Sequence, residues 1–270
     1  MDTTAGLPVF VLWKWTQAGF RTNYLADHVN LAAWMLCKHG IPFDRIVCVT
    51  DDPEGIVTRT FPLWSDHAAL LNISGKQLPS CYRRLKIFDT PTLKSMGILE
   101  GERVVSFDLD VVILQNFMSL FDRTESFIGW KVPGTKHRIV LNGSMFMFTA
   151  GEFDWLWHGF DPDKSPQRAA LAGYMGSDQA YLSHQLVSLR STGGWFPQEH
   201  GVCSYMRDVV RLRVLARHTR LVFFPGRAKP WDPAVQKVAS WITRYYPAQG
   251  ELQAWVSSLA KSKVPEPCYT

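Results

Sequence analysis

At 270 residues the chain has the length of one large domain, or of a core domain with a small appendage, and can bury an extended core without disulfide staples. Apolar residues make up 46% and charged residues 20%, as in ordinary globular proteins, and no apolar run nears the roughly 18–20 residues that a membrane span needs. The opening Met1–Gly6 lacks the basic-then-apolar layout of a signal peptide, so the expected location is cytoplasmic.

The five cysteines (Cys37, Cys48, Cys81, Cys203, Cys268) are odd in number and contain no C-x-x-C pair, a pattern that indicates neither a disulfide framework nor a zinc knuckle. The net charge of +5 is concentrated: nine basic and two acidic residues between Gly201 and Tyr245 give that segment +7 and leave the rest near −2. Such a segment suits an anionic partner, whether donor phosphates, DNA or a membrane surface on which the chain would sit peripherally, and equally suits a solvated basic face.

Apolar strand-like runs alternate with helical patterns, which predicts an α/β layering in a single domain over 1–270. The run 8–13 reads as a first buried strand, and a helix follows from about Tyr24 to His39, ended by Gly40. A second strand covers 44–50 and closes on the turn residues Asp51-Asp52-Pro53. One helix is predicted from Tyr82 to Met96. Strand 103–107 runs into Asp108-Leu109-Asp110, another covers Ile139–Phe148, and Ser177 or Asp178 caps a helix reaching about Leu189. The run 220–224 is a last strand, stopped by Pro225-Gly226, and 233–270 reads as a helical appendage.

Asp108 and Asp110 carry the chemistry. In an extended strand, i and i+2 share a side, and at a carboxyl strand end they face the crevice where open α/β sheets bind ligands. Two carboxylates this close repel unless a cation sits between them, and oxygen ligands suit Mg²⁺ or Mn²⁺. A solvated turn is the plainer alternative for such a triplet. Gly226-Arg227-Ala228-Lys229-Pro230-Trp231, after the last strand, fits a phosphate-contacting loop and also fits a surface turn.

Phe107-Asp108-Leu109-Asp110 with Leu114, and the later G-x-x-K-P-W, resemble the glycogenin-like retaining glycosyltransferases of the GT-A fold. Tyr82-Arg83-Arg84-Leu85-Lys86, Asn142-Gly143-Ser144 and Asp178-Gln179 resemble further motifs of that family in the same order, so the resemblance spans about 82–231. It implies a Rossmann-like, mixed but mainly parallel sheet flanked by helices, and a metal-assisted transfer of a sugar from a nucleotide-sugar donor, UDP-linked in the family's usual manner.

Position by position, Asp108 and Asp110 would bind Mn²⁺ or Mg²⁺, with Asp108 also near the ribose. Arg84 would contact the donor sugar or its phosphates, Asn142 and Gly143 would line the sugar pocket, and Asp178 and Gln179 would hydrogen-bond its hydroxyls. Gly226, Lys229 and the adjoining Trp231 would close over the diphosphate, with the base near Leu12–Trp15 and Thr50–Asp52. Retention would use Asp178 as nucleophile or a same-face attack.

One position departs from the family: Phe223 stands where a third ligand, histidine, is usual. The acceptor stays open among saccharides, lipid-linked saccharides and DNA, including a DNA-modifying enzyme acting on hydroxylated bases. A nucleotidyltransferase is the alternative of another class, against which Trp13-Lys14-Trp15-Thr16 offers no glycine-rich loop. Trp195 and Phe196, in a Gly-Gly-Trp-Phe-Pro segment expected to be a loop, are candidates for stacking on a sugar or base.

Overall fold

The six-residue run Val9–Lys14 forms β1, every residue of it buried, because both faces of the strand are covered. The computed structural model describes residues 6–17, 22–71, 80–131, 141–186, 193–196, 201–211 and 215–261. In chain order β1 is followed by α1 (Ala26–Lys38), β2 (Ile46–Thr50), β3 (Arg59–Pro62), a 3-10 helix (Tyr82–Phe88), α2 (Thr90–Ser95) and β4 (Arg103–Phe107). Then come β5 (Val111–Ile113), β6 (Phe127–Lys131), β7 (Leu141–Thr149), α3 (Asp154–His158), α4 (Ser165–Leu171), α5 (Asp178–Leu186) and β8 (Gly193–Phe196). The last part holds β9 (Val202–Ser204), a π-helical turn (Tyr205–Val210), β10 (Leu221–Phe223), α6 (Pro233–Val238) and α7 (Gln249–Lys261).

The large sheet has the order β3-β2-β1-β4-β7-β6-β8. β1, β2, β3 and β4 are mutually parallel, and β7 runs antiparallel to both β4 and β6. From β1 the chain builds outward to β2 and β3, then returns to lay β4 on the other side of β1. That reversal creates a topological switch point at the carboxyl ends of β1 and β4, the crevice where open α/β sheets receive ligands. The mainly parallel α/β fold expected from the sequence is present.

Alternation along each strand sorts the core into two layers. Phe10, Leu12, Ile46, Cys48, Val105, Phe107, Met145 and Met147 face α1. Val9, Val11, Trp13, Val47, Val49, Val104, Phe146 and Phe148 face the side carrying the 3-10 helix, α3 and α5. A second sheet, β5-β10-β9, has its own cluster around Val112, Val222, Phe224 and Ile242.

Three expectations are corrected. The single helix over 82–96 is two elements: Asp89 accepts from Thr92 N at 3.1 Å and caps a new helix whose first turn holds Pro91. The Gly193–Phe196 segment is an edge strand paired with β6, and Phe196 is buried among core aromatics. Asp108-Leu109-Asp110 is a bend between β4 and β5 rather than extended strand, because the chain there leaves the large sheet for the small one. Residues 187–189 of the expected α5 helix, 139–140 of the expected strand, Arg213 and Cys268 lie outside the described residues.

Candidate active site

Both ends of the 108–110 bend are pinned by backbone hydrogen bonds. Asp108 N donates to Ser144 O on β7 at 2.9 Å, and Phe224 N donates to Asp110 O at 2.8 Å. The bend is thus clamped between the two sheets at the carboxyl end of β4, and its two carboxylates project into different polar clusters.

The first cluster centres on Arg84. The 3-10 helix delivers this side chain beneath the crevice, where the residue is only 6% exposed. Its guanidinium donates to Asp108 Oδ1 at 3.0 Å, Ser106 Oγ at 3.0 Å and Gly143 O at 2.6 Å. Asp178 Oδ2 lies 3.4 Å from Arg84 Nε, an ion pair without hydrogen-bond geometry. Burial alone would lower the Arg84 pKa, but the Asp108 and Asp178 charges outweigh it and hold the guanidinium above its ordinary value. Burial pushes Asp178 up against the opposing pull of Arg84. Asp178 also accepts from Ser177 Oγ at 3.2 Å, and Gly143 N donates to Gln179 Oε1 at 3.3 Å.

Asn142 lies on the same strand, its Oδ1 accepting from Ser144 N at 2.9 Å. The β6–β7 register slips between Gly129 and Trp130, setting Trp130 opposite Asn142. Bulges of this kind re-aim side chains beside sites.

The second cluster centres on Asp110, which is 3% exposed. Its Oδ2 accepts from Lys229 Nζ and from Tyr24 Oη, the latter at 3.2 Å. Lys229 also donates to Tyr24 Oη and to Phe224 O, both at 3.3 Å. Burial raises the Asp110 pKa to about 6 despite Lys229, which draws it down. Burial, then the Asp110 and Asp108 charges, raise that of Tyr24. Trp231 lies flat on His28 of α1, ring centroids 4.0 Å apart, and edge-on to Tyr24 at 5.8 Å. Gly226, at φ +100°, makes the turn that carries this loop back toward α1.

The structure therefore gathers Arg84, Asp108, Gly143, Asp178 and Gln179 into one network and Asp110 and Lys229 into the other, joined by the bend. Asn142, Gly226 and Trp231 flank them. Tyr24, Ser106 and His28 are additions that no local sequence pattern marked, and Ser177, expected only as a helix cap, donates to Asp178 and accepts from Cys81 N. Toward the expected base-binding end, Lys14 Nζ donates to Asp52 O at 2.9 Å and Thr16 N donates to Asp51 Oδ2 at 2.8 Å. Phe223 is fully buried between Phe107 and Trp130, ring centroids 5.3 and 5.2 Å away.

In the basic segment, Arg207 is spent on Asp208 with two hydrogen bonds of 2.9 Å and covers the Trp130 ring. Asp89, Asp154 and His158 form a separate acidic group, in which Asp89 caps α2, Asp154 accepts from Thr90 N at 2.7 Å, and His158 Nε2 lies 3.0 Å from Asp154. No helix among the described residues is long and apolar enough to cross a membrane.

No family model and no curated protein matches the sequence. Solved structures do match the fold. The galactosyltransferase LgtC, solved with donor and acceptor sugar analogs, aligns with TM-score 0.57 and 14% identity over 95% of this chain and 97% of that one. The glycosyltransferase GlyE of Streptococcus pneumoniae aligns with TM-score 0.52 and 13% identity over 97% of this chain and 66% of that one. Neither the DNA-modifying nor the nucleotidyltransferase alternative finds support in these matches. The chain has the fold of the GT-A glycosyltransferases.

Proposed function

We propose that the chain is a glycosyltransferase that takes a sugar from a nucleoside diphosphate donor, with the crevice at the carboxyl ends of β1 and β4 as its donor site. The observation that carries this reading is the convergence there of three carboxylates (Asp108, Asp110, Asp178) and two buried bases (Arg84, Lys229). Buried charge is expensive to maintain, and such clusters gather where a charged ligand reacts.

The donor set fits a hard divalent ion. Asp108 spends Oδ1 on Arg84 and Asp110 spends Oδ2 on Lys229 and Tyr24; among the described residues nothing donates to the other oxygen of either. Those two oxygens would hold Mg²⁺ or Mn²⁺, ions that accept waters and phosphate oxygens for the rest of their shell, so the absence of a histidine at Phe223 is tolerable. When bound, the ion would neutralise negative charge growing on the departing diphosphate.

The chain's own residues supply the remainder. Lys229 reaches the same charge from the loop side, and Arg84 fixes Asp108 and Asp178 relative to the Gly143 carbonyl. Asp178 and Gln179, at the start of α5, face Gly143 and would orient sugar hydroxyls. Pre-aimed charges of this kind stabilise a transition state without having to reorganise.

Thermal unfolding with UDP, GDP, CDP and dTDP, each with Mn²⁺, tests the reading. UDP at about 100 times its dissociation constant should add about 2.7 kcal/mol of stability, and Asp110→Ala should remove the shift. A melting profile unchanged across all four nucleotides would sink the donor hypothesis.

A further inference from the structure

We infer that Trp13 is the positioning residue for Arg84. Its ring carries the guanidinium and its indole N–H sets the serine that Arg84 grips, so that Arg84 holds Asp108 by a hydrogen bond and Asp178 by charge alone. This rests on the donor site proposed above, because Arg84 is the base that fixes two of that site's carboxylates.

Four observations support it. First, the Arg84 guanidinium carbon lies 5.2 Å from the centre of the Trp13 ring. A tryptophan face attracts a cation more strongly than other rings, and most strongly away from water. Arg84 and Trp13 are only 6% and 4% exposed. Second, Ser106 Oγ on β4 accepts from Trp13 Nε1 at 2.9 Å and from Arg84 at 3.0 Å. A hydroxyl has two acceptor positions, so the indole fills one and the other is turned to Arg84. Ser106 is fully buried, and water cannot stand in for the indole.

Third, Trp13 is itself locked. It stacks on Trp64 with ring centroids 5.7 Å apart and meets Trp15 edge-on at 6.5 Å. Fourth, Arg84 Nε is buried and donates to nothing, although Asp178 Oδ2 is 3.4 Å away. An unpaired buried donor is costly, so a guanidinium free to turn would close on Asp178. The ring, Ser106 and the Gly143 carbonyl prevent that turn. Asp178 Oδ2 is thereby kept clear of an Arg84 hydrogen bond, as it must be to receive a sugar hydroxyl. Trp13 works inward, on Arg84; at 4% exposure it presents no open face on which a base could stack.

The test is hydrogen exchange at the Arg84 Nε–H, read by NMR on the full chain labelled with nitrogen-15 arginine. The signal is assigned by its loss in Arg84→Lys. The proton exchanges when the guanidinium swings out to water, so Trp13→Leu should exchange at least about tenfold faster than the wild type. Trp13→Phe, which keeps a ring face and loses the indole N–H, should fall between the two. Ser106→Ala, a change small enough to keep the fold, should raise the rate at least about threefold and gives the same test if Trp13→Leu fails to fold. Phe148→Leu thins the same core layer at the far end of β7 from Gly143. It should change the rate less than about twofold, which separates positioning from general loosening.

Calorimetry of UDP binding with Mn²⁺ reads the consequence for the site. Trp13→Leu frees Asp108 from its fixed partner and should bind at least about fivefold more weakly than the wild type, whereas Phe148→Leu should stay within about twofold. An unchanged Arg84 exchange rate in both Trp13→Leu and Ser106→Ala, or a faster rate with unchanged UDP affinity, overturns the inference and leaves the donor reading standing. Absence of UDP binding to the wild type overturns the donor reading alone; the exchange rates then still decide whether Trp13 holds Arg84.

Discussion

Arg84→Met is the most discriminating perturbation of the site. The side chain is 6% exposed, donates to three acceptors (Asp108, Ser106 and the Gly143 carbonyl) and forms an ion pair with Asp178. Methionine roughly fills the volume, so the loss is electrostatic rather than a cavity. Removing one partner of a buried ion pair leaves an uncompensated charge and costs about 3–5 kcal/mol. Asp178, at 4% exposure, bears that cost fully, while Asp108, whose side chain is 26% exposed, is partly relieved by water. For a chain of this size each kcal/mol moves the melting point by about 2–4 °C, so a fall on the order of 10 °C is expected.

Calorimetry on a double-mutant cycle locates the cause. Asp178→Asn in the Arg84→Met background should recover more than about 1 kcal/mol, because it removes the stranded charge. Arg84→Lys should fall between wild type and methionine, since a single ammonium cannot span the three acceptors and the Asp178 carboxylate. A fall below about 2 °C for Arg84→Met, or strictly additive effects in the cycle, would refute the account of Arg84 as the charge that organises this site.

Two further outcomes concern the frame around it. Gly201 sits at φ +85°, its carbonyl accepting from both Arg220 N and Leu221 N, and an added Cβ would overlap the His218 carbonyl oxygen and the Arg220 nitrogen. Gly201→Ala should therefore cost about 2–4 kcal/mol in urea unfolding, from left-handed strain plus overlap, and a cost below about 1 kcal/mol would argue against a fixed backbone there. His28 is held at a pKa of about 4, below its ordinary 6.5, chiefly by burial under Trp231 and with Lys229 adding to the effect against Asp27. The unfolded chain then binds a proton that the folded chain refuses between about pH 6.5 and 4. Stability is full above the unfolded value and falls as pH drops through that window, by about 1–2 kcal/mol after allowing for the ring's partial exposure. His28→Gln should flatten that part of the pH profile; an unchanged profile would show that His28 is not its source.

The sequence marked more of the residues gathered in the candidate site than of the path the chain takes through it. Apolar runs located β1, β2, β4, β7 and β10 within a few residues, since strands buried on both faces need unbroken hydrophobicity. The motif residues fell into contact because each ends or begins an element: Asp108 after β4, Asp178 at the start of α5, Lys229 beyond β10. The misread stretches had a different origin. Asp89-Thr90-Pro91 contained its own break, a cap followed by a first-turn proline, and helical periodicity on either side concealed it. The bend at Asp108–Asp110 has no local signal, because the cause is the passage between two sheets, a tertiary fact. Trp195 and Phe196 were read as a loop from their glycines, yet four residues suffice for an edge strand when β6 supplies the partner.

Tyr24 shows where such reading stops. Its hydroxyl meets Asp110 across 86 positions and Lys229 across 205, and nothing near residue 24 hints at either contact. Phe223 shows the converse. As a sequence feature it is only a missing ligand. In the fold it is a ring packed edge-on to Phe107 and tilted against Trp130, one strand position before the residue whose amide holds Asp110 in place. Any polar ligand at 223 would have to be paid for in that aromatic contact. Phe223 therefore anchors the end of β10 by its ring contacts, and the position this gives the next amide, that of Phe224, is what holds the backbone of Asp110 at the bend.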